Sequence, residues 1–207
     1  MLSIINRDGE FYLLDEGEPL LTPKGTPVST TSQILAHRML EDIRRHGIDE
    51  SCPSCVVGYQ FAYLDHFATV PREEILAPML KSVPSVDTAR PRGTWAGEKD
   101  WTLHCPMAAD RFQDWMRTFL ALDREHIASI GAWLRSLSRV WLCAVSVLAK
   151  AMRSYNIPFL LATKVPAPRL RPWAGAVHRH CTFMDETEIL ERFRIFRFFA
   201  QTPQRFV

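Results

Sequence analysis

Residues 11–49 read FYLLDEGEPLLTPKGTPVSTTSQILAHRMLEDIRRHGID, and this stretch decides how the chain begins to fold. The apolar run Phe11–Leu14 predicts a short strand that ends at an acidic turn. The TPKGTP segment contains two prolines, which donate no N–H group to a sheet and so confine the segment to a turn or a sheet edge. A helix is expected from near Thr31 to near Gly47, because glycine often ends a helix. The stretch therefore predicts a small β unit that leads into a helix.

Patterns on both sides extend this unit. Ser3–Ile5 and Glu18–Thr22 are further short strand candidates, and an Asp-Gly turn follows the first of them. Tyr59–Ala68 is aromatic and apolar, which favours a short helix. Pro71 and the acids after it predict the start of another helix, which Pro78 is expected to keep short.

The second half of the sequence is mainly helical in pattern. Residues 84–100 are rich in proline, glycine, serine and charge, which is typical of a domain boundary or an exposed loop. An apolar stripe predicts a helix within residues 106–122, and helical spacing continues from residue 123 to about 153. Four prolines make residues 158–175 an expected irregular connector. Asp185–Gln201, with acids first and arginines later, predicts the last helix.

These patterns predict an α+β protein with two parts. A small β-rich domain with one or two helices is expected over residues 1–90, and a larger α-helical domain over residues 91–207. The 207 residues are 47% hydrophobic and 23% charged, as in ordinary globular proteins. The formal net charge is only +2, which argues against a nucleic-acid-binding protein.

Several classes of protein are disfavoured by what the sequence lacks. The longest apolar run, Val140–Ala149, has about half the ~20 residues that a membrane span requires. The start, MLSIINRDGEF, has no basic segment followed by a long apolar stretch, so a secretory signal is not expected. The motifs GxxxxGK[ST], GxGxxG, HExxH and GxSxG do not occur. We therefore expect a cytoplasmic protein with no integral membrane segment, no cofactor and no catalytic residue.

The cysteines leave an alternative open. Cys52 and Cys55 have the spacing of thiol–disulfide enzymes, but they follow a helix and a loop rather than a strand. The pair could instead bind zinc together with a second cluster at His178, His180 and Cys181. The simpler interpretation is that the five cysteines are free thiols, because the number is odd and no export signal is present. The alternative is a zinc- or thiol-containing accessory protein.

The C-terminal quarter offers another alternative. Residues 151–207 hold nine basic and four acidic side chains, and Phe193–Phe199 alternates aromatic and basic residues. With Arg192, this segment could bind a partner groove or an anionic membrane surface. The simpler interpretation is a helix whose phenylalanines pack on the protein while its arginines reach solvent. Among the tryptophans, Trp95 and Trp173 lie in proline-rich segments and are expected at the surface.

The sequence of residues 11–49 resembles that of one known family. These are the ATP synthase assembly chaperones, mitochondrial and bacterial, that hold the alpha subunit of the catalytic head before assembly. The family pattern is a strand ending in Leu-Asp-Gly, a proline, Thr-Pro, a further proline, a Leu-Ala helix with an acidic end, and Ile-Asp. The matching residues are Leu14, Asp15, Gly17, Pro19, Thr22, Pro23, Pro27, Leu35, Ala36, Glu41, Ile48 and Asp49. Glu16 interrupts the first motif, and Asp65 stands where the family has an Asp that closes a short helix.

The resemblance implies a binding protein that performs no catalysis. Such a chaperone covers apolar surface on an unassembled subunit, here the ATP synthase alpha subunit, and needs an exposed patch. It also implies a functional carboxylate on the last helix, although acids at that position could simply stabilise the helix dipole. Together with the aromatic and basic candidates of the C-terminal quarter, these acids complete the set of predicted partner-binding residues, which are Asp185, Glu186, Arg192, Phe193, Arg194 and Trp173. The sequence leaves the oligomeric state open.

Overall fold

The α+β fold is confirmed by the computed structural model, in which an antiparallel sheet of 4 strands is followed by helices. The structure describes residues 1–50, 52–82, 124–152, 156–163, 165, 167–178 and 184–204. Its strands are β1 (Leu2–Arg7), β2 (Glu10–Asp15), β3 (Glu18–Pro19) and β4 (Ser29–Thr30). Its helices are α1 (Gln33–His46), α2 (Val57–Ala62), a π-helix (Tyr63–Phe67), α3 (Arg72–Ser82), α4 (Arg124–Ser136), α5 (Arg139–Met152), α6 (Asn156–Thr163), a 3₁₀ turn (Ala167–Arg169), α7 (Leu170–His178) and α8 (Glu186–Gln201).

Strand β2 is the centre of the sheet, because β1, β3 and β4 all pair with it. Two-residue turns join β1 to β2 and β2 to β3, and both turn residues have positive φ in each case, which gives the twist that hairpins require. Three backbone hydrogen bonds join Leu13, Leu20 and Val28 in a ring. The N–H of Leu13 donates to the carbonyl of Val28 at 3.0 Å, that of Leu20 to Leu13 at 2.9 Å, and that of Val28 to Leu20 at 2.7 Å. These three side chains are buried, so the β unit closes on itself and faces the helices.

Helix α1 lies where the sequence predicted it. Ser32 caps its start by accepting the N–H of Leu35 at 3.4 Å, and Gly47 ends it with a φ of 73°. The predicted apolar face is confirmed, since Leu35, Met39 and Ile43 are buried. Both ends are fixed by local residues, which explains why the sequence located this helix well.

The single helix predicted from residue 123 to about 153 is wrong: α4 and α5 are separated at residues 137–138. Ser138 starts α5, because its Oγ accepts the N–H of Trp141 and its carbonyl accepts the N–H of Leu142. The guanidinium of Arg72, at the start of α3, donates to the carbonyls of Arg135 and Leu137 and holds the end of α4. A serine cap and a distant arginine therefore produce the break.

The irregular connector predicted over residues 158–175 is also wrong, because this segment contributes to α6 and α7. Pro158 and Pro172 are each the third residue of their helix. The first four N–H groups of a helix have no partner within it, so a proline there removes no hydrogen bond. Pro158 and Pro172 thus mark helix starts in this segment.

The buried side chains form one continuous cluster, which extends from Leu13 in the sheet through Leu134 to Phe199 in the last helix. The predicted division into residues 1–90 and 91–207 remains a prediction. The boundary segment 84–100 and the predicted helix within 106–122 lie outside the described residues. Among the helices that the structure describes, none combines the length and hydropathy needed to cross a bilayer.

Candidate functional site

The predicted partner-binding residues centre on α8, which is anchored in the core. Phe193, Phe196 and Phe199 are fully buried, one turn apart along the helix. Phe199 lies against Tyr59 with ring centroids 5.3 Å apart, and Phe196 meets the edge of Trp141 at 5.9 Å. The phenylalanines therefore hold the helix in place, as the simpler interpretation of this segment predicted.

The surface position expected for Trp173 is wrong. Its side chain is fully buried and packs on the ring of Phe193, with centroids 5.0 Å apart and ring planes inclined by 32°. The physical reason is that α7 packs against α8, so this face of the proline-rich segment points inward. In this conformation neither Trp173 nor Phe193 offers exposed surface to a partner. Trp95 lies outside the described residues.

The arginines of α8 are engaged within the protein. Arg192 donates to Glu188 from Nε at 3.0 Å and Nη2 at 2.7 Å, and Arg194 pairs with Glu191. Arg197 donates to the backbone carbonyls of Leu161 and Val165, where α6 ends. Burial lowers the pKa of the Arg197 guanidinium. These contacts give each arginine a structural role, which weakens the case for a basic membrane-binding face.

The two candidate carboxylates differ in what they do. Asp185 caps α8, because its Oδ1 accepts the N–H of Glu188 at 2.7 Å. The Glu186 carboxylate lies over the backbone of α7: a Cβ at Gly175 would come within 3.2 Å of its Oε2. The Glu186 side chain is exposed, and its carboxylate forms no hydrogen bond or ion pair with a residue that the structure describes. Of the two, Glu186 has its charge available to a partner.

An open cleft surrounds Ile34, near the start of α1. One side is a cavity of about 950 Å³ that reaches Tyr12 in β2 and Pro203 after α8. The other side is a cavity of about 710 Å³ bordered by Arg38 and Phe198. Ile34 lines both cavities and is 67% exposed. Sequence reasoning missed this surface, although an isoleucine next to the polar Gln33 broke the apolar pattern of α1.

Asp65 binds the TPKGTP turn to the π-helix. Its Oδ1 accepts the hydroxyl of Thr22, its Oδ2 accepts the N–H of Lys24 at 3.3 Å, and its carbonyl accepts Nζ of Lys24 at 3.2 Å. Thr22 in turn accepts the N–H of Thr26 at 3.0 Å, which closes the turn. Two features that carried the family resemblance, the Thr-Pro turn and Asp65, are thus in contact. Their role here is structural, since the turn is fixed against the helix.

The expectation of free thiols is wrong for Cys52 and Cys55, which form a disulfide with a Cα–Cα distance of 5.3 Å. A tight turn, in which the N–H of Cys55 bonds to the carbonyl of Cys52, brings them within the range that disulfides need. Of the second cluster of zinc ligands that the sequence predicted, His178 is engaged elsewhere, because its Nδ1 contacts the Met184 carbonyl at 2.8 Å. His180 and Cys181 lie outside the described residues. The donor beside the cysteine pair is His46, whose ring lies within 4.8 Å of both sulfurs.

Three further groups with a raised pKa, Cys143, Tyr59 and Tyr63, lie in the core. Burial raises the pKa of the Cys143 thiol well above its usual value, and the thiol contacts the carbonyl of Tyr59. Burial also raises the pKa of Tyr59, and it raises that of Tyr63 to about 12. These groups stay protonated and neutral at physiological pH, so they have no activated nucleophile to offer.

Comparison with known proteins finds solved structures with a similar fold. No family model matches the sequence, and no curated protein matches it. Among solved structures, a chaperone candidate from Agrobacterium tumefaciens is 16% identical over 97% of this chain and 83% of its own, with a TM-score of 0.63. Atp12 from Paracoccus denitrificans is 16% identical over 98% of this chain and 96% of its own, with a TM-score of 0.57. A point mutant of Atp12p from the same organism gives 18% identity and a TM-score of 0.58. The resemblance predicted from the sequence is therefore confirmed for the fold.

Proposed function

We propose that this chain is an assembly chaperone that binds an unassembled subunit of the ATP synthase head, with the alpha subunit as the client. The observation that carries the proposal is the likeness to the two Atp12 structures, which extends over 98% of this chain at TM-scores of 0.57 and 0.58. We further propose that the protein acts in the cytoplasm, by binding alone and without catalysis.

We propose that Glu186 provides the polar contact to the client. Its neighbours on α8 are already paired: Arg192 with Glu188, and Arg194 with Glu191. A carboxylate that is exposed and held beside α7 can meet a lysine or arginine of the client without first breaking an internal pair. Such a contact at the rim of an interface contributes mainly to orientation and to the association rate.

We propose that the cleft around Ile34 provides the apolar contact to the same client. A chaperone that covers apolar surface needs apolar side chains of its own that are exposed when the client is absent. Ile34 is 67% exposed, and the partly buried ring of Phe198 borders the cleft beside it. Arg38, Arg44 and Glu41 surround this centre with charge, which is the usual arrangement of an interface.

Charge reversal at Glu186 tests the proposal. The chain carrying Glu186→Lys would be used to capture the alpha subunit at physiological salt, and binding would be compared with the unaltered chain by calorimetry. We expect at least a tenfold weaker binding, since a like charge facing the client replaces an attraction by a repulsion. The matched control is Glu74→Lys, another exposed glutamate in the first turn of a helix. It carries the same cost to the helix dipole but lies on α3.

Two results would contradict the proposal at different levels. Failure of the unaltered chain to bind the alpha subunit would exclude that client, and a parallel capture with the beta subunit would then decide whether the head is involved at all. Equal binding by Glu186→Lys and Glu74→Lys would instead remove Glu186 from the interface while leaving the client in place.

A further inference from the structure

We propose that His46, Cys52 and Cys55 form a zinc-binding site in the dithiol state of this protein. Nδ1 or Nε2 of His46 and the two Sγ atoms all lie within 4.8 Å of one another. A tetrahedral zinc ion with ligands at about 2.0–2.3 Å places its donor atoms roughly 3.6–3.8 Å apart. Reduction of the disulfide frees the two sulfurs to separate to that spacing.

The donor set is selective by its chemistry. Two thiolates and an imidazole are the ligands that zinc prefers, whereas calcium and magnesium require oxygen donors. Burial increases from the exposed His46 through Cys52 to the buried Cys55. One side of the site therefore faces solvent, where a water molecule would complete the four ligands.

Helix α1 supports both halves of the site. It carries His46 as its last residue. It also fixes the cysteine loop, because Nη2 of Arg38 donates to the carbonyl of Ser54 at 2.9 Å and Asp42 accepts the N–H of Val56 at 2.8 Å. The loop is closed further at Gly58, where a Cβ would collide with the carbonyl of Glu50. His46 thus lies on α1, and the loop that carries the two cysteines is tied to the same helix at Ser54 and Val56, which lowers the cost of bringing the donors together.

The disulfide and the metal exclude each other, since disulfide sulfurs carry no negative charge to bind zinc. A phosphine reductant would supply two electrons to the disulfide and become the phosphine oxide. Water would supply the oxygen of that oxide and the two protons of the new thiols. Zinc binding would then release up to two protons as the thiols become thiolates. The site goes beyond the proposed chaperone function and does not depend on it.

Cobalt titration tests the site, because Co²⁺ takes the place of zinc and its bonds to thiolate give intense near-ultraviolet bands. The protein would carry Cys105→Ser and Cys181→Ser, would be reduced with phosphine and would be freed of metal by a chelator. We expect one Co²⁺ per chain, displaced by one Zn²⁺, with a rise in the melting temperature on binding. The oxidised protein is expected to bind neither ion.

His46→Ala identifies the third ligand, and His37→Ala is its matched control, since both residues are exposed on α1. We expect His46→Ala to weaken metal binding by more than the ~10–100-fold that loss of an outer-shell partner causes. His37→Ala should leave the affinity unchanged, and circular dichroism would verify that both variants fold. Absence of thiolate–cobalt bands in the reduced protein would overturn the proposal, as would an affinity that His46→Ala does not change.

Discussion

Replacing Asp42 with alanine tests how the segment after α1 is held in place. Asp42 is 2% exposed, and its two carboxylate oxygens have different partners. Oδ1 accepts Nε of Arg38 at 2.8 Å, while Oδ2 accepts the backbone N–H of Val56 at the same distance. One buried side chain thus connects α1 to the residue before α2. Its removal would leave the Val56 N–H buried without an acceptor.

The expected cost follows from these two contacts. A hydrogen bond to a charged group contributes about 1.5–3 kcal/mol. The ion pair adds about 0.5–1 kcal/mol, because Arg38 keeps 33% of its side-chain surface in water and solvent screens the attraction. We therefore expect Asp42→Ala to lower the free energy of unfolding by roughly 2–4 kcal/mol. Asp42→Asn keeps an acceptor for Val56, so it should cost about half as much.

Urea unfolding followed by tryptophan fluorescence would measure both variants. A double-mutant cycle with Arg38→Gln would separate the ion pair from the bond to Val56. If Asp42→Ala changes the free energy of unfolding by less than about 0.5 kcal/mol, as substitutions on the surface usually do, Asp42 does not anchor this segment.

Two further predictions concern the core. Trp173→Ala should lower the free energy of unfolding, measured in urea, by about 3–5 kcal/mol, whereas Trp173→Phe should cost much less. If Trp173→Ala costs less than about 0.5 kcal/mol, Trp173 is not buried and lies at the surface, as the sequence predicted. The free energy of unfolding should fall as the pH rises from about 10 towards 12. In the unfolded chain Tyr63 loses its proton near pH 10, whereas burial in the folded chain raises its pKa to about 12. Tyr63→Phe should make this decline shallower in urea titrations at a series of pH values, and an unchanged slope would contradict the shift.

Elements specified by neighbouring residues were predictable from the sequence. Helix α1 was located to within about two residues because Ser32 and Gly47 define its ends. Residue Asp185 was expected at the start of the last helix, where it serves as the cap. Glu186 was a candidate from the family resemblance, and its position beside Gly175 in α7 became visible only in the structure.

Features that depend on distant residues were not predictable in the same way. At the break between α4 and α5, the Ser138 cap is local, but the carbonyls at the end of α4 are bound by Arg72, which precedes them by more than sixty residues. Burial of Trp173 depends on the approach of Phe193, and no local pattern reports that contact. His46 lies close to Cys52 in the sequence, but only the end of α1 and the turn after it bring their donor atoms together.

The position of α8 has a consequence for synthesis on the ribosome. Leu134 and Leu148 belong to the same buried cluster as Phe193 and Phe199, which the ribosome adds much later. At about 5–20 residues per second, the interval from residue 134 to residue 199 is roughly 3–13 s. During that time the β unit with α1 can form, while the face of α5 that packs against α8 lacks the side chains that cover it. The nascent chain is therefore itself most exposed to aggregation just before α8 emerges.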